Sequence, residues 1–221
     1  MINNQLQKRI LTSMFLFILL ILMYYYLYIL IISLITISVL AWIEFNGLIS
    51  KIFKKRKIKD KFFKFFFKSL SLLYLSILMF LIIIINSKNS ALEIFIIYSL
   101  FISINSDIGG LIFGKIFKGK KLTKISPQKT ISGSIGSFIF SLSLIPIFRQ
   151  YLLDYDILKL LIITLLISFS SQIGDLFISL LKRKAKVKNT SDLLPGHGGI
   201  LDRIDGIIFA IPIGLLFLNF L

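Results

Sequence analysis

The residues able to do chemistry are concentrated in one polar block, Ser179 to Asp205, between two segments apolar enough to cross a membrane. The block carries clustered cations, and Asp202 and Asp205 are spaced so that both lie on one side of a helix. Two carboxylates suit Mg2+, which binds one or two of them and completes its shell with water and substrate phosphates. The block therefore predicts a Mg2+ site, and the alternative is an ion pair of Arg203 with either Asp.

The apolar segment before this block has a polar face. At 100° per residue, one side of the helix collects six polar residues, which are Ser168, Ser171, Gln172, Asp175, Ser179 and Lys182. An ionisable residue on a membrane helix is expensive and indicates function. If the following loop folds back, we expect Asp175 to meet the Asp202/Asp205 pair at the mouth of the bundle. The alternative is a structural ion pair of Asp175 with Lys182 or Arg183.

Glycines interrupt the polar block at Pro195-Gly196-His197-Gly198-Gly199. Such a run predicts a tight turn whose backbone N–H groups can approach an anion, and phosphate is the natural candidate. The alternative is a turn and nothing more. His197 is predicted to be a hydrogen-bonding loop residue and not a metal ligand.

A second polar block extends from Asp107 to Gly133. It places Asp107 and two adjacent glycines at the end of one span, and a lysine-rich stretch leads to Ser126-Pro127-x-Lys129-Thr130. Ser126, Lys129 and Thr130 can bind phosphate oxygens by charge and by hydroxyl hydrogen bonds. The alternative is that Ser126-Pro127 merely starts the next helix.

The elements that must position these residues are membrane helices. The chain has 221 residues, is 57% hydrophobic and has apolar runs near the length that crosses a bilayer. We predict an all-α polytopic membrane protein with about seven spans, in which cytoplasmic polar loops form the active site. Two spans share residues 10–43 and turn near Tyr24 to Tyr26, and the others cover 69–86, 90–106, 131–148, 156–181 and 204–220. Residues 1–106 are predicted as N-terminal membrane helices with a basic loop, and residues 107–221 as the catalytic region.

Charge orients these spans. The net charge is +16, and the segments 51–68, 115–129 and 182–188 carry 9, 6 and 5 of the 26 Lys and Arg residues. All three fall on one side of the membrane in this topology, which predicts a cytoplasmic location. Cations spread over juxtamembrane loops indicate anionic lipid as a neighbour and not nucleic acid. Residues 51–68 interleave Lys with Phe as an interfacial helix does. With no Cys, disulfides, thiolate metal sites and sulfur redox chemistry are excluded.

Several motifs together resemble the phosphatidate cytidylyltransferase family, also called CDP-diacylglycerol synthases. They are Ser179-x-x-Lys182-Arg183, then Lys188, then Pro195-Gly-His-Gly-Gly-x-x-Asp202-Arg203-x-Asp205, with the Asp107 block and Gln172-x-Gly174-Asp175 upstream. The resemblance covers about residues 105–206. One departure is Asn189, where the family pattern has Asp, and compensation by Asp192 is a hypothesis.

The resemblance implies an enzyme of the bacterial-type plasma membrane that joins CTP to phosphatidate, forms CDP-diacylglycerol, releases pyrophosphate and requires Mg2+. It implies that Asp175 and Asp202 bind the metal and that Asp205 supports them. It assigns phosphates or other substrate groups to a larger set, namely Lys182, Arg183, Asp107, Ser126, Lys129, Thr130, Ser179, Lys188, His197, Gly198 and Arg203. It is also compatible with a homodimer, whose interface no motif indicates.

Two other functions remain open from the sequence. A CTP-dependent lipid kinase of the polyprenol or phytol type would use the same nucleotide and metal but would release CDP. A non-catalytic lipid-binding or channel-like membrane protein would use the acids for structure alone.

Overall fold

Helices make up most of the described residues of the protein. A computed structural model describes residues 2–54, 57–88, 90–152, 156–196 and 198–218, and these ranges contain no β-strand. The helices are α1 (Ile2–Tyr25), α2 (Leu27–Ile52), α3 (Ile58–Lys88), α4 (Ser90–Phe117), α5 (Ile131–Leu142), α6 (Ile145–Phe148), α7 (Ile157–Lys184), α8 (Leu201–Ile204) and α9 (Ile207–Leu218), with a 3-10 turn at Arg149–Tyr151. The predicted all-α class is confirmed.

Five helical segments of the described residues are long and apolar enough to cross a membrane. They are Leu27–Ile52, Ile58–Ser87, Glu93–Phe117, Ile131–Tyr151 and Ile157–Lys184. A polytopic membrane protein is therefore confirmed. Helices occupy most of the described part of each predicted segment, but the apolar helix Ile10–Tyr25 and the 12-residue α9 are shorter than these five, so the count of seven spans is not confirmed.

The long N-terminal apolar run breaks where the sequence predicted. Helix α1 ends at Tyr25, Tyr26 is extended with φ −124° and ψ 108°, and α2 begins at Leu27. The helical hydrogen bonds resume at once, because the Leu30 N–H donates to the Tyr26 carbonyl over 3.0 Å. The break is therefore a single residue and not a loop.

Two helices extend beyond their predicted apolar limits. Helix α3 begins at Ile58, so much of the predicted basic loop 51–68 is helical, and Phe53 stacks on Phe63 and Phe67 at its base. Helix α4 continues to Phe117, so Asp107 lies in its interior and not at the end of a span. Lysine is a good helix former, so helicity continues into the basic start of α3, whereas residues 107–117 of α4 are mainly apolar residues and glycines that pack against α5.

The chain forms two compact units. The first comprises Met1–Lys88 and Leu181–Arg203, and in it α2 packs against α1 and α3. The second comprises Asn89–Leu180 and Ile204–Leu221, and in it α4 packs against α5 and α9. Buried Phe95, Tyr98 and Ile163 belong to the hydrophobic core of the second unit. The predicted functional division at residue 107 stays a prediction.

Glycines bring α4 and α5 close together. A Cβ at Gly136 of α5 would overlap the Cβ of Phe113 and would lie 2.8 Å from the carbonyl oxygen of Gly109 on α4. Close backbone approach of this kind is typical of small residues between membrane helices. The adjacent glycines after Asp107 thus serve helix packing, and this contact holds α5 and the loop before it against α4.

Candidate active site

The polar face of α7 meets protein, as predicted. Ser168 and Ser171 are fully buried. Ser168 accepts a hydrogen bond of 2.9 Å from Ser141, and the hydroxyls of Ser171 and Ser103 lie 2.7 Å apart. These buried hydroxyl pairs satisfy polar groups that would otherwise be exposed to lipid.

Further along the same face, Asp175 forms an ion pair with Lys129. The Ser179 hydroxyl also donates to Asp175, over 3.3 Å. Both charged side chains keep partial exposure, 27% for Lys129 and 22% for Asp175. The alternative pairing of Asp175 with Lys182 does not form, because Lys182 is paired with Asp202. The first pair therefore joins one predicted phosphate-binding lysine to one predicted metal ligand.

Gln172 lies one helical turn before Asp175 on this face. Its side-chain carbonyl accepts a 2.6 Å hydrogen bond from Ser134, whereas its buried amide nitrogen has no hydrogen-bond partner.

Lys129 is held by a short hairpin between α4 and α5. Its N–H donates to the Ser126 carbonyl over 3.0 Å, and its own carbonyl accepts from the Leu122 N–H over 2.8 Å. Helix α5 begins only at Ile131, and the Thr130 hydroxyl caps it by accepting from the Gly133 N–H over 3.1 Å. The alternative in which Ser126-Pro127 starts the helix is therefore wrong, because these residues form the preceding turn.

A second ion pair joins Lys182, at the end of α7, to Asp202 in α8 over 2.6 Å. The Lys182 ammonium bonds to Oδ1 of Asp202. Oδ2 accepts from the backbone N–H groups of Thr190 and Gly199 over 2.9 and 3.2 Å, and lies 3.0 Å from the Thr190 hydroxyl. Burial alone would raise the pKa of Asp202, but the hydrogen bond and charge of Lys182 and the two N–H donors outweigh it. They hold this pKa below its ordinary value.

The glycine turn between Lys182 and Asp202 has the predicted tight geometry. Gly196 and Gly198 have φ values of +79° and +86°, which favour glycine, and Leu194 and Gly198 exchange backbone hydrogen bonds of 2.8 and 3.1 Å. Because the N–H groups of Gly198 and Gly199 are bonded within the protein, they do not present themselves to an anion here. His197 lies outside the described residues.

Asp202 and Asp205 do not share one continuous helix, contrary to the prediction. Helix α8 ends at Ile204 and α9 begins at Ile207. Asp205 is buried in the turn between them, where its carboxylate accepts a 2.9 Å hydrogen bond from the Gly206 N–H. The four-residue α8 is too short to continue the i, i+3 register on which the prediction depended.

The remaining predicted substrate-binding residues are mostly at the surface. Asp107, Arg183, Lys188 and Arg203 are exposed, and Ser126 is half-buried. Lys188 lines a cavity with Asn189, Asp192 and Lys51, so both members of the proposed Asn189/Asp192 compensation border the same space.

The sequence analysis missed one acidic residue, Glu44 of α2. Its side chain is buried and accepts hydrogen bonds from the loop between α7 and α8. A lone carboxylate in the middle of an apolar helix is the signal that could have identified it, since such a group needs partners.

A divalent cation such as Mg2+ needs several oxygen donors. Among residues 2–54, 57–88, 90–152, 156–196 and 198–218, no group of three or more Asp, Glu and His side chains could hold a metal ion. Oδ2 of Asp175 and Oδ1 of Asp202 are each bonded to a lysine ammonium. Each oxygen can exchange that partner for a hard cation without breaking a backbone hydrogen bond. A carboxylate oxygen is a donor that suits Mg2+, whose remaining ligands water and substrate phosphates can supply.

The comparisons with known proteins all indicate the same family. The family model described as "Cytidylyltransferase family" matches residues 1–221. A phosphatidate cytidylyltransferase of Staphylococcus haemolyticus is 42% identical over 122 residues, which is 54% of this chain and 46% of the relative. A protein of the same name from Bacillus subtilis is 41% identical over 120 residues, 53% of this chain and 45% of the relative. The matched region thus spans about half the length of these relatives.

Proposed function

Because the chain belongs to the cytidylyltransferase family, we propose that it transfers the cytidylyl group of CTP to phosphatidate. The products would be CDP-diacylglycerol and pyrophosphate. The names of the relatives from Staphylococcus haemolyticus and Bacillus subtilis support this choice of lipid substrate.

The observation that carries the proposal is the presence of two Lys–Asp ion pairs, each with one member on α7. One joins Lys129 to Asp175, and the other joins Lys182 to Asp202. A lysine held by a carboxylate keeps its charge in place until a more highly charged anion competes for it. A nucleoside triphosphate and a lipid phosphate are such anions, so both lysines can transfer to phosphate oxygens.

The reaction would be an in-line displacement at the α-phosphorus of CTP. A phosphate oxygen of phosphatidate attacks, a new P–O bond forms, the bond to the bridging α–β oxygen breaks, and pyrophosphate carries away the electron pair. Negative charge is concentrated on the phosphoryl oxygens and on the leaving group during this step. Lys129 and Lys182 would neutralise that charge, and positioned cations of this kind contribute much of the rate in phosphoryl transfer.

We propose that Mg2+ is the cofactor and that Asp175 and Asp202 hold it through the oxygens that the lysines release. The bound cation would supply charge neutralisation on the phosphates. The N–H donors on Oδ2 of Asp202 keep that side chain oriented while Oδ1 changes partner.

We further propose that this site faces the cytoplasm of a bacterial plasma membrane, where a soluble nucleotide can meet a lipid head group. The basic segments support this orientation. Because the chain lacks Cys, a single cysteine at Lys121 should react with a membrane-impermeant thiol reagent only in inside-out vesicles, and one at Ser87 only in right-side-out vesicles. The homodimer stays an expectation from the family resemblance.

Release of pyrophosphate tests the activity. Purified protein in detergent receives CTP, phosphatidate and Mg2+, and wild type is compared with Asp175→Asn and with the control Asp60→Asn in the first turn of α3. We expect lipid-dependent pyrophosphate from wild type and the control, and a loss of at least about a hundredfold in Asp175→Asn, as is typical when an electrostatic group of a site is removed. CDP in place of pyrophosphate would establish the kinase alternative. A wild-type protein that forms neither product would refute catalysis.

A further inference from the structure

Glu44 lies in α2, outside every motif that resembles a known family. Its helix is one of the five able to cross a membrane, yet the Glu44 residue is only 4% exposed. A carboxylate buried on an apolar helix is strongly unfavourable unless protein donors replace its water. Its partners therefore indicate what it does.

Among the described residues, four hydrogen bonds reach Glu44: three come from the loop after α7 and one from Leu201 at the start of α8. Oε1 accepts from the Ser191 hydroxyl over 2.6 Å and from the Ile200 N–H over 3.0 Å. Oε2 accepts from the Thr190 hydroxyl over 2.7 Å and from the Leu201 N–H over 2.9 Å. Two donors on each oxygen satisfy the acceptor capacity of an ionised carboxylate.

These donors come from both ends of the glycine-containing loop. Thr190 and Ser191 open it, while Ile200 and Leu201 close it at the start of α8. The intervening turn is closed by the hydrogen bonds between Leu194 and Gly198. A single side chain of α2 therefore ties together the two ends of residues 190–201, which we call the clamped loop.

Gly199 is the residue that lets Glu44 come this close. A Cβ at this position would overlap the Thr190 hydroxyl and Oε2 of Glu44, and would lie 2.7 Å from Cδ of Glu44. Gly199 is thus required because its neighbour Glu44 leaves no room for a side chain. Gly198, in contrast, is required by its positive φ angle.

The clamped loop is also connected to Asp202. The Thr190 hydroxyl lies 2.7 Å from Glu44 and 3.0 Å from Oδ2 of Asp202, whose other donors are the N–H groups of Thr190 and Gly199. Two helical turns beyond Glu44, Lys51 borders the cavity that Lys188 and Asn189 also line. Helix α2 therefore borders this cavity and also holds the clamped loop.

We propose that Glu44 is a positioning residue for the transfer reaction: it clamps residues 190–201 onto α2 and thereby holds Asp202 in place for the Lys182 pair. The assignment of a reaction rests on the proposed function. The clamp itself does not, so the two can be tested separately.

Glu44→Gln preserves the volume of the side chain but places an amide donor where an acceptor now meets two donors. Ser33→Ala is the matched control, because Ser33 is buried on the same face of α2, three turns earlier. Hydrogen exchange of the peptide covering residues 190–201 is measured in detergent, together with kcat and KM for CTP. Loss of charge-assisted hydrogen bonds predicts at least about tenfold faster exchange in Glu44→Gln.

We expect kcat of Glu44→Gln to fall by a similar factor while exchange in α4 and α7 stays at the wild-type level. Ser33→Ala should match wild type in both measurements. Wild-type exchange of the clamped loop in Glu44→Gln would overturn the proposal whether or not the protein has the proposed activity. Faster exchange with unchanged kcat in an active enzyme would overturn the catalytic role.

If Glu44→Gln unfolds throughout, the two hydroxyl contacts with Glu44 are removed from the loop side by Thr190→Val together with Ser191→Ala. Faster exchange confined to the clamped loop, with a lower kcat, would then support the proposal. Unchanged exchange and kcat in this double variant would overturn it. Absence of pyrophosphate from wild type, with the clamp intact by exchange, would count against the proposed function alone.

Discussion

Gly199→Ala offers the most direct test of how the clamped loop is held. The new methyl group would overlap the Thr190 hydroxyl and Oε2 of Glu44, so one of these groups must move. The hydrogen bond between them has a charged acceptor and contributes about 1.5 to 3 kcal/mol. Displacement of the Gly199 N–H from Asp202 adds about 1 kcal/mol.

The expected loss is therefore about 2.5 to 4 kcal/mol in the free energy that keeps the loop closed. This corresponds to an increase of roughly 60- to 700-fold in the equilibrium constant for opening. Hydrogen exchange reports that constant directly for amides that exchange through local opening. The amides of Ile200 and Leu201, which bond to Glu44, should show the change most clearly.

Gly47→Ala is the matched control, because it makes the same chemical change on α2 where a Cβ would meet nothing within 4 Å. In a helix interior this substitution should stabilise by about 0.5 to 1 kcal/mol and should leave loop exchange unchanged. If Gly199→Ala exchanged within about threefold of wild type, well below the rise expected from these hydrogen bonds, the contact between the loop and Glu44 would be refuted.

Three further predictions concern other contacts. Lys182→Met leaves Oδ1 of Asp202 without its lysine and should lower the free energy of unfolding by about 1 to 3 kcal/mol. Lys182→Arg should recover part of this loss. Equal thermal midpoints for Lys182→Met and the wild type would contradict the prediction. The folded-state pKa of Asp202 lies below its ordinary value of 3.8, so its stabilising contribution is complete above that value and is lost as the pH falls through the lower pKa. The thermal midpoint of the wild type should therefore drop in that acidic range, and Asp202→Asn should lack this part of the drop. Identical pH profiles for wild type and Asp202→Asn would argue against the role of Asp202. Gly136→Ala forces a methyl group into Phe113 and should lower the free energy of unfolding by about 1 to 3 kcal/mol. Its thermal midpoint should therefore lie below that of Gly47→Ala. A midpoint at or above that of Gly47→Ala would exclude the close packing of α4 and α5.

The sequence predicted the helices well because hydropathy and helical periodicity are local properties. The break at Tyr26 followed from length alone, since the apolar run 10–43 is too long for one span. The polar face of α7 followed from the 100° rotation per residue. Helix ends were predicted less well: lysines extend α3 at its start, and the end of α4 continues through the glycines that pack against α5.

The partners of the charged residues were beyond sequence reasoning. Asp175 was expected to meet the later acids, or to pair with Lys182 or Arg183, and it pairs with Lys129, 46 positions earlier in the chain. The i, i+3 relation of Asp202 and Asp205 assumed one helix, whereas a turn separates α8 from α9. Periodicity cannot show where a four-residue helix stops.

By itself the sequence determined that this is an all-helical membrane protein of the cytidylyltransferase family, with its candidate site residues in two polar blocks and on the helix between them. Only the tertiary structure decided which cation neutralises which acid, and that the glycine turn bonds to the protein itself. It also revealed Glu44, which no local motif surrounds. The physical reason is that a buried carboxylate is stabilised by whichever donors the fold brings to it, and those of Glu44 are about 150 residues away in the chain.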